Sequence, residues 1–218
     1  MNRWATTTAV AAGTGLAVRR WYLRWGATDD EVHTTLPGDQ LMSDADLTAT
    51  RAITIRANSA QVWPWLAQLG QGRGGFYSYD RLENLAGCDI RSADRIIAQW
   101  QSVEVGDDVH PHPDMGLVVA QVEPGRALVL SGGVPVGSAP APYAFTWAFV
   151  LREGPDGTTR LVVRERYRYT RWWTALLVEP VEAVSAVMSQ RMLRGIRERA
   201  ESATAVQVTP STSAVRAT

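Results

Sequence analysis

The spacing of apolar side chains divides the chain into a strand and short helices, a β-rich middle and a helical end. From residue 50 to 56, Ile53 and Ile55 alternate with polar neighbours, the period-two pattern of a half-buried strand. Asn58, with Gln61 three residues on, is a capping-box signature ahead of Val62, Trp63, Trp65, Leu66 and Leu69, which recur at helical spacing. Pro64 is expected to kink that helix or confine it to short turns. A glycine-rich loop at 70–75 leads to two further short helices, 79–85 and 92–100. After Trp100 the period changes to two. Strands are expected over 103–110, 116–122, 126–131, 143–152 and 158–170, with turns at Glu123-Pro124-Gly125 and Gly154-Pro155-Asp156-Gly157. Consecutive hairpins imply an antiparallel sheet, not βαβ units. The chain then forms an amphipathic helix over 171–201, with Leu177, Val181, Val184, Met188 and Met192 as its apolar stripe. Arg191, Arg194, Arg197 and Arg199 suit the negative end of its dipole, and Pro180 marks a kink or first turn.

The last two strands carry the sharpest pattern. Tyr143, Phe145, Trp147, Phe149 and Leu151 share one face of the first, and Leu161, Val163, Glu165, Tyr167 and Tyr169 share one face of the second. Arg160, Arg164, Arg166 and Arg168 point the other way, onto an outer face. Glu165 is the only carboxylate on the apolar side. There it must be paired, hydrogen-bonded or neutralised. Its functional reading is a general base or ligand anchor, weighed against a buried ion pair with an arginine such as Arg73.

Composition narrows the classes. The 218 residues are 45% apolar and 20% charged, as in ordinary globular proteins. All 22 basic residues are arginine, balanced by 22 acids, so the surplus cation that a nucleic-acid binder needs is missing. Cys88 is the only cysteine, which leaves no internal disulfide and no cysteine metal cluster. The balance is nonetheless uneven: residues 1–140 carry −4 and residues 141–218 carry +4, so an anionic partner is expected to meet the C-terminal third. Residues 27–50 hold six acids and no arginine and read as an extended, solvated segment with a Leu36-Pro37-Gly38-Asp39 turn.

The ends are read apart from a single domain at 25–201. Residues 5–18 form an apolar run too short to cross a bilayer, without a convincing cleavage site before Trp21. Trp4, Trp21, Tyr22 and Trp25 bracket it as interfacial aromatics would. Two readings stand, a frayed helix and a peripheral membrane contact through residues 1–24; the expected location is the cytoplasm, with membrane association allowed. Residues 202–218 read as a disordered tail.

Other motifs are weighed individually. Gly70-Gln71-Gly72-Arg73-Gly74-Gly75 matches a dinucleotide-binding fingerprint literally, but it follows a helix and lacks a βαβ unit, so its glycines are read as backbone devices. His110-Pro111-His112 offers two metal ligands at most, and the flanking prolines favour an exposed turn. Asp80, Glu83 and Asn84 can orient a polar ligand group, or Asp80 is simply a helix cap. The tryptophans at 147, 172 and 173 are read as core or pocket wall. No cofactor and no metal is expected.

The order strand, helix pair, antiparallel strands and long C-terminal helix resembles the helix-grip fold of the START/SRPBCC superfamily, which includes lipid-transfer domains, pollen-allergen-type carriers and polyketide cyclase-like proteins. The resemblance sharpens in Trp63-Pro64-Trp65-Leu66, in the run from Gly70 to Asp80, in Leu82-Glu83-Asn84-Leu85 and in Trp100-Gln101. These look like a bacterial branch of SRPBCC proteins, over about residues 25–201. The resemblance implies an α+β fold in which a curved antiparallel sheet wraps the C-terminal helix around a pocket for a hydrophobic small molecule or lipid. It supplies no catalytic set, because the superfamily shares none. The pocket is expected to draw on Phe145, Trp147, Glu165, Tyr167 and Tyr169, with Arg73 and Tyr77 nearby. The leading expectation is noncatalytic binding. One alternative is a cyclase, dehydratase or hydrolase with Glu165 as base and Tyr77 or Tyr167 as proton donor. The other is a module in which Trp4 to Trp25 and the arginine face meet anionic headgroups.

Overall fold

The computed structural model describes residues 3–85, 87–112, 115–133 and 141–208. It has helix α1 (Arg3–Leu23), a one-turn helix α2 (Asp29–His33), strand β1 (Leu47–Ile55), helices α3 (Ser59–Ala67) and α4 (Asp80–Leu85), strands β2 (Asp108–His112), β3 (Met115–Glu123), β4 (Ala127–Gly132), β5 (Tyr143–Glu153) and β6 (Thr159–Tyr169), and helix α5 (Thr174–Val208). The sheet is antiparallel throughout in the order β1-β6-β5-β4-β3-β2, curved, with α5 packed along its inner face. This is the helix-grip arrangement. β1 closes on the last strand of the meander, opposite Thr159 to Tyr167.

The elements follow local chemistry. The Asn58 side chain accepts from the Gln61 amide at 3.0 Å and the Gln61 side chain accepts from the Asn58 amide at 3.0 Å, which starts α3. The expected helix over 92–100 does not form. There the Gln68 side chain takes the Ile97 amide and the Arg95 carbonyl, leaving only a 3₁₀ turn at Ala98–Trp100. The strand expected from residue 103 starts at Asp108, because Gly106 turns the chain at φ 100° while Asp107 accepts from the Glu104 amide. His110-Pro111-His112 lies within β2, not in a turn. β2 is an edge strand, where the proline's missing N–H leaves no ladder bond unmade. α5 continues to Val208, past the expected end at 201; residues 209–218 lie outside the described residues.

The back of the sheet corrects the solvated-segment reading. Residues 26–46 cross the arginine face of β6 as a strap. Arg160 binds Glu31 at 2.7 Å, and Arg164, 3% exposed, binds Asp39 at 2.5 Å and the carbonyls of Glu31, Val32 and Thr34. Arg166 meets Asp39 and the Met42 carbonyl, and Arg168 meets Asp44. Leu36 is buried with Ala52, Val150 and Val162 beneath the strap. The acidic leader and the basic strand thus pair with each other, Arg164 in near-complete burial and Arg168 with its side chain still 47% exposed.

Candidate functional site

Between the sheet and α5 lies a buried polar cluster. In the β1–β6 register Ala49 faces Glu165 and Arg51 faces Val163, which makes Arg51 and Glu165 diagonal neighbours on the inner face. Both are almost fully buried. Arg51 Nη1 donates to Glu165 Oε1 at 3.0 Å, Nη2 donates to Glu182 Oε1 and Nε donates to the Tyr22 carbonyl at 3.1 Å. Glu165 also accepts from Ser189 Oγ at 2.9 Å, Ser185 Oγ at 3.2 Å and Tyr167 OH at 3.4 Å. Two carboxylates on one guanidinium would leave a net negative charge in the core. Burial, reinforced by the Glu165 carboxylate, pushes Glu182 up to about 8, which favours its protonated form at neutral pH.

Next to this cluster is a cavity of about 130 Å³. The sheet contributes Trp147 and Pro111, the chain after α3 contributes Phe76, Ser78 and Glu83, and α5 contributes Ser185, Met188, Ser189 and Met192. Phe76 stacks on Trp147 at 5.8 Å. Ser185 and Ser189 therefore stand between the cavity and Glu165. Two polar atoms of the lining, Trp147 Nε1 and Glu83 Oε2, are buried without a hydrogen-bond partner among the described residues. Burial, with the Asp80 carboxylate adding to it, pushes Glu83 up to about 7. Since a cavity of about 150 Å³ takes up benzene, this one suits a molecule of about one ring; pockets for larger ligands start near 300 Å³.

The expected site residues separate in three dimensions. Trp147 lines the cavity, and Glu165 sits one serine layer behind it. Phe145 and Tyr167 pack at 4.7 Å in a neighbouring apolar cluster with Leu23, Leu47 and Val178, bordered by Tyr169. Burial drives the Tyr169 hydroxyl up to about 12. Arg73 and Tyr77 do not line the cavity. Arg73 donates to the carbonyls of Ala67 and Trp100, and the cation of Glu165 is Arg51 instead. Tyr77, at φ 57°, gives its hydroxyl to the Trp65 carbonyl at 3.1 Å and its ring face to Arg199.

Several site residues were missed. Arg51 alternates with Ile53 and Ile55 and so shares their inward face; that signal was present. Glu182, Ser185 and Ser189 share a helical stripe with Val178, but the apolar residues one position away mask it. Asp80 and Asn84 hold the chain locally, through Ser92 and Ile90, and of that trio only Glu83 lines the cavity. His110 is exposed, the His112 side chain lies outside the described residues, and no group of three metal-ligating side chains occurs among the described residues. Cys88 lies 3.8 Å from the Pro111 carbonyl with its thiol pushed up by burial.

No family model and no curated protein matches the sequence. Among solved structures the fold is similar to DynU16, described as a protein in the dynemicin biosynthetic locus, at 17% identity over 68% of this chain and 46% of that one, with a TM-score of 0.39. The chain thus spans about half of DynU16. It is also similar to the hypothetical protein jhp0584 of Helicobacter pylori, at 12% identity over 76% of this chain and 95% of that one with a TM-score of 0.48, and to CalU16 of Micromonospora echinospora, at 15% over 73% and 87% with a TM-score of 0.35. At these identities and scores the similarity says nothing of ligand or reaction.

Proposed function

We propose that the protein binds a compact, mostly apolar small molecule of about one ring, carrying one or two oxygen functions, in the cavity between β5 and α5. The observation that supports this is the pair of unpartnered buried atoms in the cavity lining, the Trp147 N–H on the sheet and Glu83 Oε2 on α4, because such atoms are costly unless something meets them. A ligand oxygen answers the indole N–H, and a hydroxyl or carbonyl answers Glu83. Phe76, Trp147, Met188 and Met192 supply the apolar contact. The present volume favours a ring-sized ligand over a long acyl chain. Thermal-shift and native mass-spectrometric screening of phenols, aromatic acids and short polyketide fragments tests this. A hit is expected to raise the melting temperature, to weaken about tenfold with Trp147→Phe, and to depend on pH around 7 until Glu83→Gln removes that dependence. Hits indifferent to both substitutions would place binding elsewhere.

A catalytic reading is favoured only by Glu83, whose position on the cavity wall and proton affinity near neutrality are those of a general acid or base. Glu165 suits that role less, being shared among Arg51, two serines and Tyr167.

A further inference from the structure

α5 is built inside out over its first half. Its inward stripe from Val178 runs through Glu182, Ser185 and Ser189, whereas the side chains turned away from the sheet are apolar. Trp172 just before the helix is 89% exposed, Val184 is 64% exposed, and Leu176, Val181 and Val187 are also exposed. Between Arg171 and Arg191 the only charged residues are Glu182, which is buried, and Glu179, which is taken by Arg19 at 2.7 Å. α1 lies against this part of α5 through that ion pair and through Leu23, which is clustered with Val178. It adds the exposed Val18 and Trp21. So continuous an apolar helix face is unusual on a soluble surface.

The charge beside the patch is mostly positive, with Arg19 paired to Glu179 and Arg166 to Asp39. A groove of about 570 Å³ along α1 is lined by Arg19, Arg20, Arg24 and Arg166 and by no carboxylate among the described residues. Arg20 and Arg24 share one exposed acid, Asp29. Exposed tryptophans, an uncharged aliphatic face and an arginine rim are the three components that an anionic bilayer surface recognises, at its interface, its acyl region and its phosphates respectively. A second copy would bring further arginines to the same rim, not the missing anions. No described helix is long and apolar enough to cross a membrane, so the contact lies in the surface plane.

We infer that the outer face of α5, together with α1, docks the protein on anionic membrane surfaces. Of the β6 arginines, Arg164 is sealed under the strap and takes no part, while Arg166 borders the groove paired with Asp39. The test is flotation of the full chain with phosphatidylcholine vesicles and with equimolar phosphatidylcholine–phosphatidylglycerol vesicles, compared with the double variant Val184→Asp/Val187→Asp. Both side chains are exposed and outside the cavity, so circular dichroism and melting temperature should be unchanged. Binding only to the anionic vesicles, weakened by salt, about tenfold lower in the Asp pair and restored in Val184→Leu/Val187→Leu, supports the inference. Absence of anionic-vesicle binding, equal binding to both lipids, binding indifferent to the Asp pair, or a concentration-dependent dimer that the Asp pair dissolves without any vesicle binding would overturn it.

Discussion

Glu182 is the residue on which the core's electrostatics turn. Its carboxyl is neutral in the fold up to about pH 8 but ionises near its ordinary 4.5 in the unfolded chain, so the native state binds the extra proton between those values. Stability then falls as pH rises through that window, the contribution being fully present below about 4.5 and lost above about 8. Urea unfolding from pH 5 to 8.5 is expected to show this decline, and Glu182→Gln, which keeps a neutral side chain of the same shape, is expected to flatten it. A slope unchanged by that substitution would mean that the proton sits elsewhere. The expectation that Glu165 must be paired was readable from its strand position. Its partner was not, because choosing Arg51 over Arg73 depends on β1 closing against β6, a pairing between positions more than a hundred residues apart.

At the scale of elements, glycine and proline acquire meaning from what passes beside them. Gly195 sits in the middle of α5, where alanine ordinarily gains about 1 kcal/mol of helix propensity. Here an added methyl would lie 2.2 Å from the Tyr77 carbonyl oxygen, backbone that is held by the tight turn at Tyr77. Gly195→Ala is therefore expected to destabilise, by roughly 1–3 kcal/mol, with a melting temperature lower by several degrees in a calorimetric scan. The Gly70–Gly75 loop follows the same logic: a side chain on Gly74 would strike the Gln68 carbonyl and the Tyr77 hydroxyl at 2.7 Å. Element type was largely legible from periodicity for β3 to β6 and α5. Orientation was less so. The stripe Leu177, Val181 and Val184 turns outward, since the pocket side of α5 is occupied by a carboxyl and two serines that complete the Arg51 cluster.

For the molecule as a whole, the strap is the part whose role differs most from its composition. Six acids without arginine suggested a solvated leader; instead Asp39 caps Arg164 in near-complete burial and also reaches Arg166. Asp39→Ala would leave the Arg164 guanidinium with only neutral acceptors, the Thr50 hydroxyl and the carbonyls of Glu31, Val32 and Thr34, at an expected cost of roughly 2–4 kcal/mol. Denaturant midpoints together with proteolysis between residues 26 and 46 would measure that loss; native-like resistance would show that the strap stays down without the pair.

The sequence by itself determined what is local: alternation set the strand faces, the Asn58–Gln61 box began α3, and the order of elements pointed to an α+β helix-grip layout. It also determined that Glu165 needed company on an apolar face and that the C-terminal third of the chain held the counter-charge of the rest. Only the tertiary structure decided who met whom. Arg51 found two carboxyls, the leader's acids found the β6 arginines, Trp147 and Glu83 came to one cavity, and α5 turned valines outward. Those outcomes depend on contacts between residues far apart in the chain, whose selection is a matter of packing and desolvation over the whole core, not of any local period.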